Sequence, residues 1–72
     1  MAQPRVTNAV REARSRRAMT QDHLAELTGL ARQSVISIEK GRYLPTIETA
    51  LRLAAALDVA VEDLFWLTVK PK

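Results

Sequence analysis

Gly29 separates two short stretches of helical pattern and leaves room for only a tight turn between them, which constrains the fold more than any other residue of the chain. Before it, Thr20 is a good N-cap, and Leu24, Ala25 and Leu27 recur at helical spacing, so a helix is expected from about Gln21 to Thr28. Glycine tolerates the left-handed conformation that ends a helix. The pattern restarts at once with Ala31-Arg32-Gln33-Ser34 and runs to about Lys40, closed by Gly41. Two helices joined so closely must cross steeply. On a 3.6-residue wheel the second places Ala31, Ser34, Val35 and Ile38 on one side and Arg32, Gln33, Ile36, Ser37 and Lys40 on the other.

The rest of the chain reads as further short helices. Met1 to Arg5 is a lead-in, followed by a helical pattern from Thr7 to about Arg17 with Val6, Val10 and Ala13 on one face. After the loop Arg42-Tyr43-Leu44-Pro45, Thr46 caps a helix running to Leu57, with Ile47, Ala50, Leu51 and Ala54 expected to face inward and Asp58 as its left-handed stop. A single turn around Glu62 to Phe65 follows. The tail from Trp66 to Lys72 tilts toward aromatic and β-branched residues, which would suit a short strand. The expected fold class is all-α, a single domain with its core over about residues 6–65 and a tail over 66–72.

A chain of 72 residues buries only roughly 60% of its unfolded surface, so its core needs support. With no cysteine and His23 as the only histidine, neither disulfides nor a Cys/His zinc site can supply it. Tight helix packing or self-association remains. The longest apolar runs are far short of the roughly 20 residues that span a bilayer, and nothing resembles a signal peptide, so a cytoplasmic location without membrane contact is expected. Charge is uneven. Residues 1–42 carry Arg5, Arg11, Arg14, Arg16, Arg17, Arg32, Lys40 and Arg42 against four acids, a balance of +4, whereas residues 43–72 balance at −1. The basic part suits a polyanion and the remainder a protein.

Catalytic chemistry lacks its parts: the chain has no cysteine, one histidine, no paired carboxylates in a fixed pocket and no glycine-rich phosphate loop. No catalytic residue, metal or cofactor is expected. His23, in the first turn of its helix, reads as solvated. The steeply crossed helix pair, by contrast, presents Arg32 and Gln33 at the start of its second helix. Arg can bind guanine O6 and N7 with two hydrogen bonds, Gln can do the same to adenine N6 and N7, and an α-helix fits a major groove about 12 Å wide.

The run Thr20-Gln21-Asp22-His23-Leu24-Ala25-Glu26, then Gly29-Leu30, Arg32-Gln33-Ser34-Val35, Ile38-Glu39-Lys40-Gly41-Arg42-Tyr43 and Pro45-Thr46 resembles the phage repressor/Cro-type helix-turn-helix domain of the xenobiotic-response-element family. The resemblance covers about Val6 to Phe65, and Val61-Glu62-Asp63-Leu64-Phe65 is similar to the fifth helix of its small bacterial members. It implies five helices, a DNA-binding dimer and transcriptional control. Carried over by position, it implies that Arg32, Gln33 and Ser37 face base edges, that Gln21 meets a phosphate, and that Ser34, Lys40 and Arg42 meet the flanking backbone. Arg14 and Glu39 match an inter-helix ion pair. The chain departs from the family's pattern where His23 replaces a capping-box Glu, where Ala31 and Ala60 replace capping hydroxyls, and where Ile36 occupies the DNA face. Each lost cap costs about 1 kcal/mol. Ile36 either meets a thymine methyl or packs beside the helix.

The first functional expectation is a transcriptional regulator, most simply a repressor, that binds double-stranded DNA at an inverted repeat as a homodimer. With so little chain after Phe65, regulation would come through concentration, a partner protein or competition for DNA. The alternative is an antitoxin-like module that neutralises a partner protein and binds DNA secondarily. A membrane-surface role fits poorly, because the apolar face of the arginine-rich first helix is small alanine and valine. Phe65, Trp66, Leu67 and Val69 are the expected dimer interface, through strand pairing or packing of the fifth helices.

Overall fold

Four successive helices each stop at a residue with left-handed backbone: Ala18 (φ 53°), Gly29 (74°), Gly41 (74°) and Asp58 (56°). The computed structural model describes residues 4–69, in the order β1 (Pro4–Asn8), α1 (Val10–Arg16), α2 (Gln21–Thr28), α3 (Arg32–Glu39), α4 (Ile47–Leu57), α5 (Val61–Leu64) and β2 (Phe65–Val69). At Ala18 the Met19 amide donates to the Arg14 carbonyl at 3.1 Å and the Ala18 amide to Ser15 at 3.0 Å, the paired bonds of a Schellman stop. The starts are capped unevenly. The Thr20 hydroxyl accepts from the His23 amide at 3.0 Å and the Thr46 hydroxyl from Thr49 at 3.1 Å, whereas Ala31 and Ala60 offer no side-chain cap.

The helices close around one core. Val10 and Ala13 of α1, Leu24 and Ala25 of α2, Val35 and Ile38 of α3, Leu53, Ala54 and Leu57 of α4, and Leu64 of α5 are all buried, with Met19, Leu30, Ala56, Val61 and Phe65 packed around them. Thr28, buried among them, donates its hydroxyl to the Leu24 carbonyl at 2.8 Å, so its polar group is satisfied inside the helix.

Among the described residues there are five helices, with α2 and α3 in the expected helix-turn-helix arrangement, but the fold is not all-α. Strands β1 and β2 pair antiparallel, with Arg5 opposite Thr68, Val6 opposite Leu67, Thr7 opposite Trp66 and Asn8 opposite Phe65. The first helix accordingly begins at Val10 rather than Thr7, and Val6 belongs to a strand. The cause is non-local: β2 supplies partners for backbone that a longer helix would otherwise have to satisfy. Asn8 then marks the switch, its Oδ1 accepting the Val10 amide at 3.1 Å while its Nδ2 donates to the Ile38 carbonyl at 3.0 Å. The Ala9 amide is held by the Leu64 carbonyl at 2.9 Å. The lead-in residues 1–3 and the tail residues 70–72 lie outside the described residues.

Two expected faces also shift. In α4 the inward residues are Ala50, Leu53, Ala54 and Leu57, while Ile47 is 78% exposed and Leu51 is 52% exposed. An alanine- and leucine-rich helix carries apolar residues on more than one face, so its periodicity alone leaves the inward one ambiguous. In α3, Val35 and Ile38 face inward as expected, but Ala31 is the exposed capping residue and Ile36 is half-buried.

Candidate nucleic-acid interface

The two ends of helix α3 differ in chemistry. Near its C-terminal end, the Arg14 guanidinium grips the Glu39 carboxylate with Nε 2.7 Å from Oε2 and Nη2 3.3 Å from Oε1, and its Nη1 donates to the Met19 carbonyl at 2.9 Å. Gln21 Nε2 donates to Glu39 Oε1 at 3.1 Å. The Glu39 side chain is only 5% exposed and that of Arg14 15%. One carboxylate thereby ties α1, the start of α2 and the end of α3 together, and its two partners, a guanidinium and a side-chain amide, are the charged and polar donors that a buried anion requires.

At the N-terminal end, Arg32 and Gln33 are exposed. Arg32 and Ile36 lie on an open concavity of about 520 Å³ that also includes Arg11, Thr20, Gln21, Asp22 and Lys40. Gln33 lies on the adjacent side, where it shares a smaller depression with Ser34, Ser37 and Tyr43. The eight residues expected to meet DNA therefore fall into groups. Arg32, Ile36, Gln21 and Lys40 border the larger hollow, Gln33, Ser34 and Ser37 the smaller, and Arg42 is exposed in the loop after α3. Gln21 is engaged with Glu39 rather than free.

Two residues of this surface escape sequence reasoning. Tyr43, exposed on the loop, stands beside Gln33, Ser34 and Ser37, and exposed Arg11 of α1 reaches the larger hollow. The basic cluster Arg11, Arg14, Arg16 and Arg17 carried a signal for Arg11. Only the folding back of the loop makes Tyr43 a neighbour.

Of the expected dimer-interface residues, Phe65 is half-buried and Trp66 and Leu67 are exposed, Leu67 by 67%. The side chain of Val69 lies outside the described residues. Among the described residues, no helix is long and apolar enough to cross a membrane, and no three His, Asp or Glu side chains are grouped to hold a metal ion.

Comparison with known proteins matches residues 10–64 to the helix-turn-helix family HTH_3. The chain belongs to that family of DNA-binding transcriptional regulators. It is 43% identical over 60 residues to the uncharacterized HTH-type transcriptional regulator YgzD of Bacillus subtilis, a match covering 83% of this chain and 91% of that relative. An uncharacterized HTH-type regulator of Methanothermobacter thermautotrophicus is 46% identical over 57 residues, covering 78% of this chain and 83% of its own. In three dimensions the helix-turn-helix domain is similar to the restriction-modification controller protein C.AhdI of Aeromonas hydrophila, with a TM-score of 0.74 at 38% identity over 78% of this chain and 85% of that one. In this helix-turn-helix unit α2 and α3 are the paired helices, joined through Gly29, and the Arg14–Glu39 pair anchors the second of them to α1.

Proposed function

We propose that the protein is a sequence-specific regulator, in the simplest case a repressor, that binds an inverted-repeat operator as a homodimer with α3 in the major groove. The observation that carries this reading is the division of α3: Val35 and Ile38 are buried against the body while Arg32 and Gln33 stand exposed at its first turn. Arg32 and Gln33 read base edges, with Ser37 and Ile36 beside them. Ser34, Lys40 and Arg42 position the domain on phosphates. Gln21 meets phosphate only by sharing its side chain with Glu39. The working unit is a single domain over about residues 6–65, with residues 66–72 serving self-association. The likeness to a restriction-modification controller protein supports the reading of a DNA-binding regulator.

The homodimer rests on apolar surface. Trp66 and Leu67 are exposed on a two-stranded sheet, and aromatic residues are favoured at interface centres. One edge of β2 is already used by β1, so a second copy meets the sheet through its side chains or a free edge. The recognition helices then stand about 34 Å apart, matching half-sites roughly 10 base pairs centre to centre.

Selection of bound sequences from a random duplex pool tests the whole reading. A two-fold symmetric motif is expected. Arg32→Ala then costs about 1–3 kcal/mol and relaxes preference at one position, whereas Lys40→Ala weakens all duplexes alike. Equal losses for Arg32→Ala on operator and random DNA would remove Arg32 from base reading. Sedimentation of a Trp66→Ala, Leu67→Asp variant checks the dimer, and an unchanged dimer with full operator affinity rejects this interface.

A further inference from the structure

Strand β1 brings a basic residue to a place that the helix-turn-helix alone does not reach. Arg5 lines an open groove with Val6, Thr7 and Asn8 on one side and Lys40, Gly41, Arg42 and Leu44 on the other. Arg5, Lys40 and Arg42 are all exposed, and among the described residues none has a carboxylate partner. The one acid on the groove, Glu39, is buried and already neutralised by Arg14. A concave surface with three unneutralised cations and low-dielectric walls concentrates positive potential.

Two further observations connect this groove to DNA. Lys40 lines both it and the hollow beside Arg32, so the positive surface is continuous with the face of α3. The strand is also tied to that helix at one end, where Asn8 donates to the Ile38 carbonyl at 3.0 Å, and to β2 through the Thr7 and Thr68 hydroxyls, which bond at 2.8 Å. At a rise of about 3.3 Å per residue, Arg5 lies roughly 10 Å further along the strand from that clamp. We propose that β1 is a second DNA-backbone contact, in which Arg5 joins Lys40 and Arg42 to hold phosphates beyond those met by the helix pair. The proposal rests on the DNA reading above. It assigns the strand a role in binding, as an extension of the basic surface.

The test is the salt dependence of binding to a selected operator duplex and to a random duplex, for the wild type, Arg5→Ala, Arg5→Lys and Arg42→Ala. Each neutralised phosphate contributes about 0.9 to the slope of log K against log salt. Arg5→Ala is expected to lower the slope by about that amount on both duplexes, so that the wild type's advantage shrinks about threefold between 50 and 200 mM salt. Arg5→Lys keeps the charge and the slope. If Arg5→Ala retains the wild-type slope while Arg42→Ala loses part of it, the strand is not a contact and the DNA reading stands. Equal losses for Arg5→Ala and Arg5→Lys trace the effect to the sheet's structure and overturn the proposal. Failure of the wild type to bind either duplex overturns both.

Discussion

The helical body and the strand pair that flanks it are built by opposite rules. In the body, neighbouring residues decide: caps, left-handed stops and apolar spacing define α2, α3 and α4, and the buried side chains of five helices meet in one core. The sheet exists only because residues 4–8 meet residues 65–69, and it leaves Val6, Trp66 and Leu67 exposed. A two-stranded sheet with little buried surface is marginal in water. The body therefore sets the stability of the domain, and the sheet is a dependent extension clamped to it through Asn8, Ala9 and Phe65.

The largest effect should come from the body. Leu53 is fully buried in α4, and Leu53→Ala is expected to cost about 2–5 kcal/mol in urea unfolding, with hydrogen-exchange protection falling in the helices and the sheet together. Selective loss in the sheet would break the hierarchy. Next is the Arg14–Glu39 pair. Arg14→Met leaves a nearly buried carboxylate with only Gln21 beside it and should cost about 3 kcal/mol, because a lone buried charge is dearer than none. Adding Glu39→Leu should then recover part of the loss, and a double-mutant cycle showing simple additivity would reject the coupling.

These two rankings also explain how far the sequence could be read. The stops at Gly29, Gly41 and Asp58 and the caps at Thr20 and Thr46 were legible because each signal lies within a few residues of what it controls. So was the exposure of Arg32 and Gln33 opposite Val35 and Ile38. The sheet's partnership was not: the tail's strand character was visible, but nothing local names Pro4–Asn8 as its partner, and Val6 fits a helical face equally well. The inward face of α4 is only half legible for another reason: Ala50 and Ala54 face inward as expected, but Ile47 and Leu51, which look more apolar, lie outside, and Leu53 and Leu57 take their place. Bulk marks a core residue only after neighbouring helices fix the angle. Tyr43 and Arg5 join the candidate interface through tertiary proximity, which residue spacing does not encode.

A smaller change isolates the sheet. Thr7→Val removes the 2.8 Å hydroxyl bond to Thr68 at an exposed position and should cost less than about 1 kcal/mol. Faster amide exchange is expected in Pro4–Asn8 and Phe65–Val69, with the protection of α2 and α4 unchanged. Equal loss throughout the helices would show that the sheet holds the body together rather than depending on it.

The smallest effect on stability, and the most informative for binding, belongs to the pair between Arg32 and Asp22. Its Nε and Oδ1 are 3.5 Å apart, and the side chains are 62% and 75% exposed. An exposed pair of this kind contributes at most about 1 kcal/mol and often nothing, unlike the buried pair at the other end of α3. Asp22 also favours the start of α2 through the helix dipole, so Asp22→Asn should destabilise by no more than about 0.5 kcal/mol. Toward DNA the sign reverses. On the proposed reading the carboxylate holds a guanidinium that would turn to a base edge, and it shares the hollow beside α3 that negatively charged phosphates would approach. Asp22→Asn is expected to tighten binding a few-fold on operator and random duplexes alike, measured by fluorescence anisotropy at fixed salt. If it instead weakens operator binding and spares random DNA, the carboxylate orients Arg32 for base reading, and the exposed pair is as much a part of the site as the buried one is of the fold.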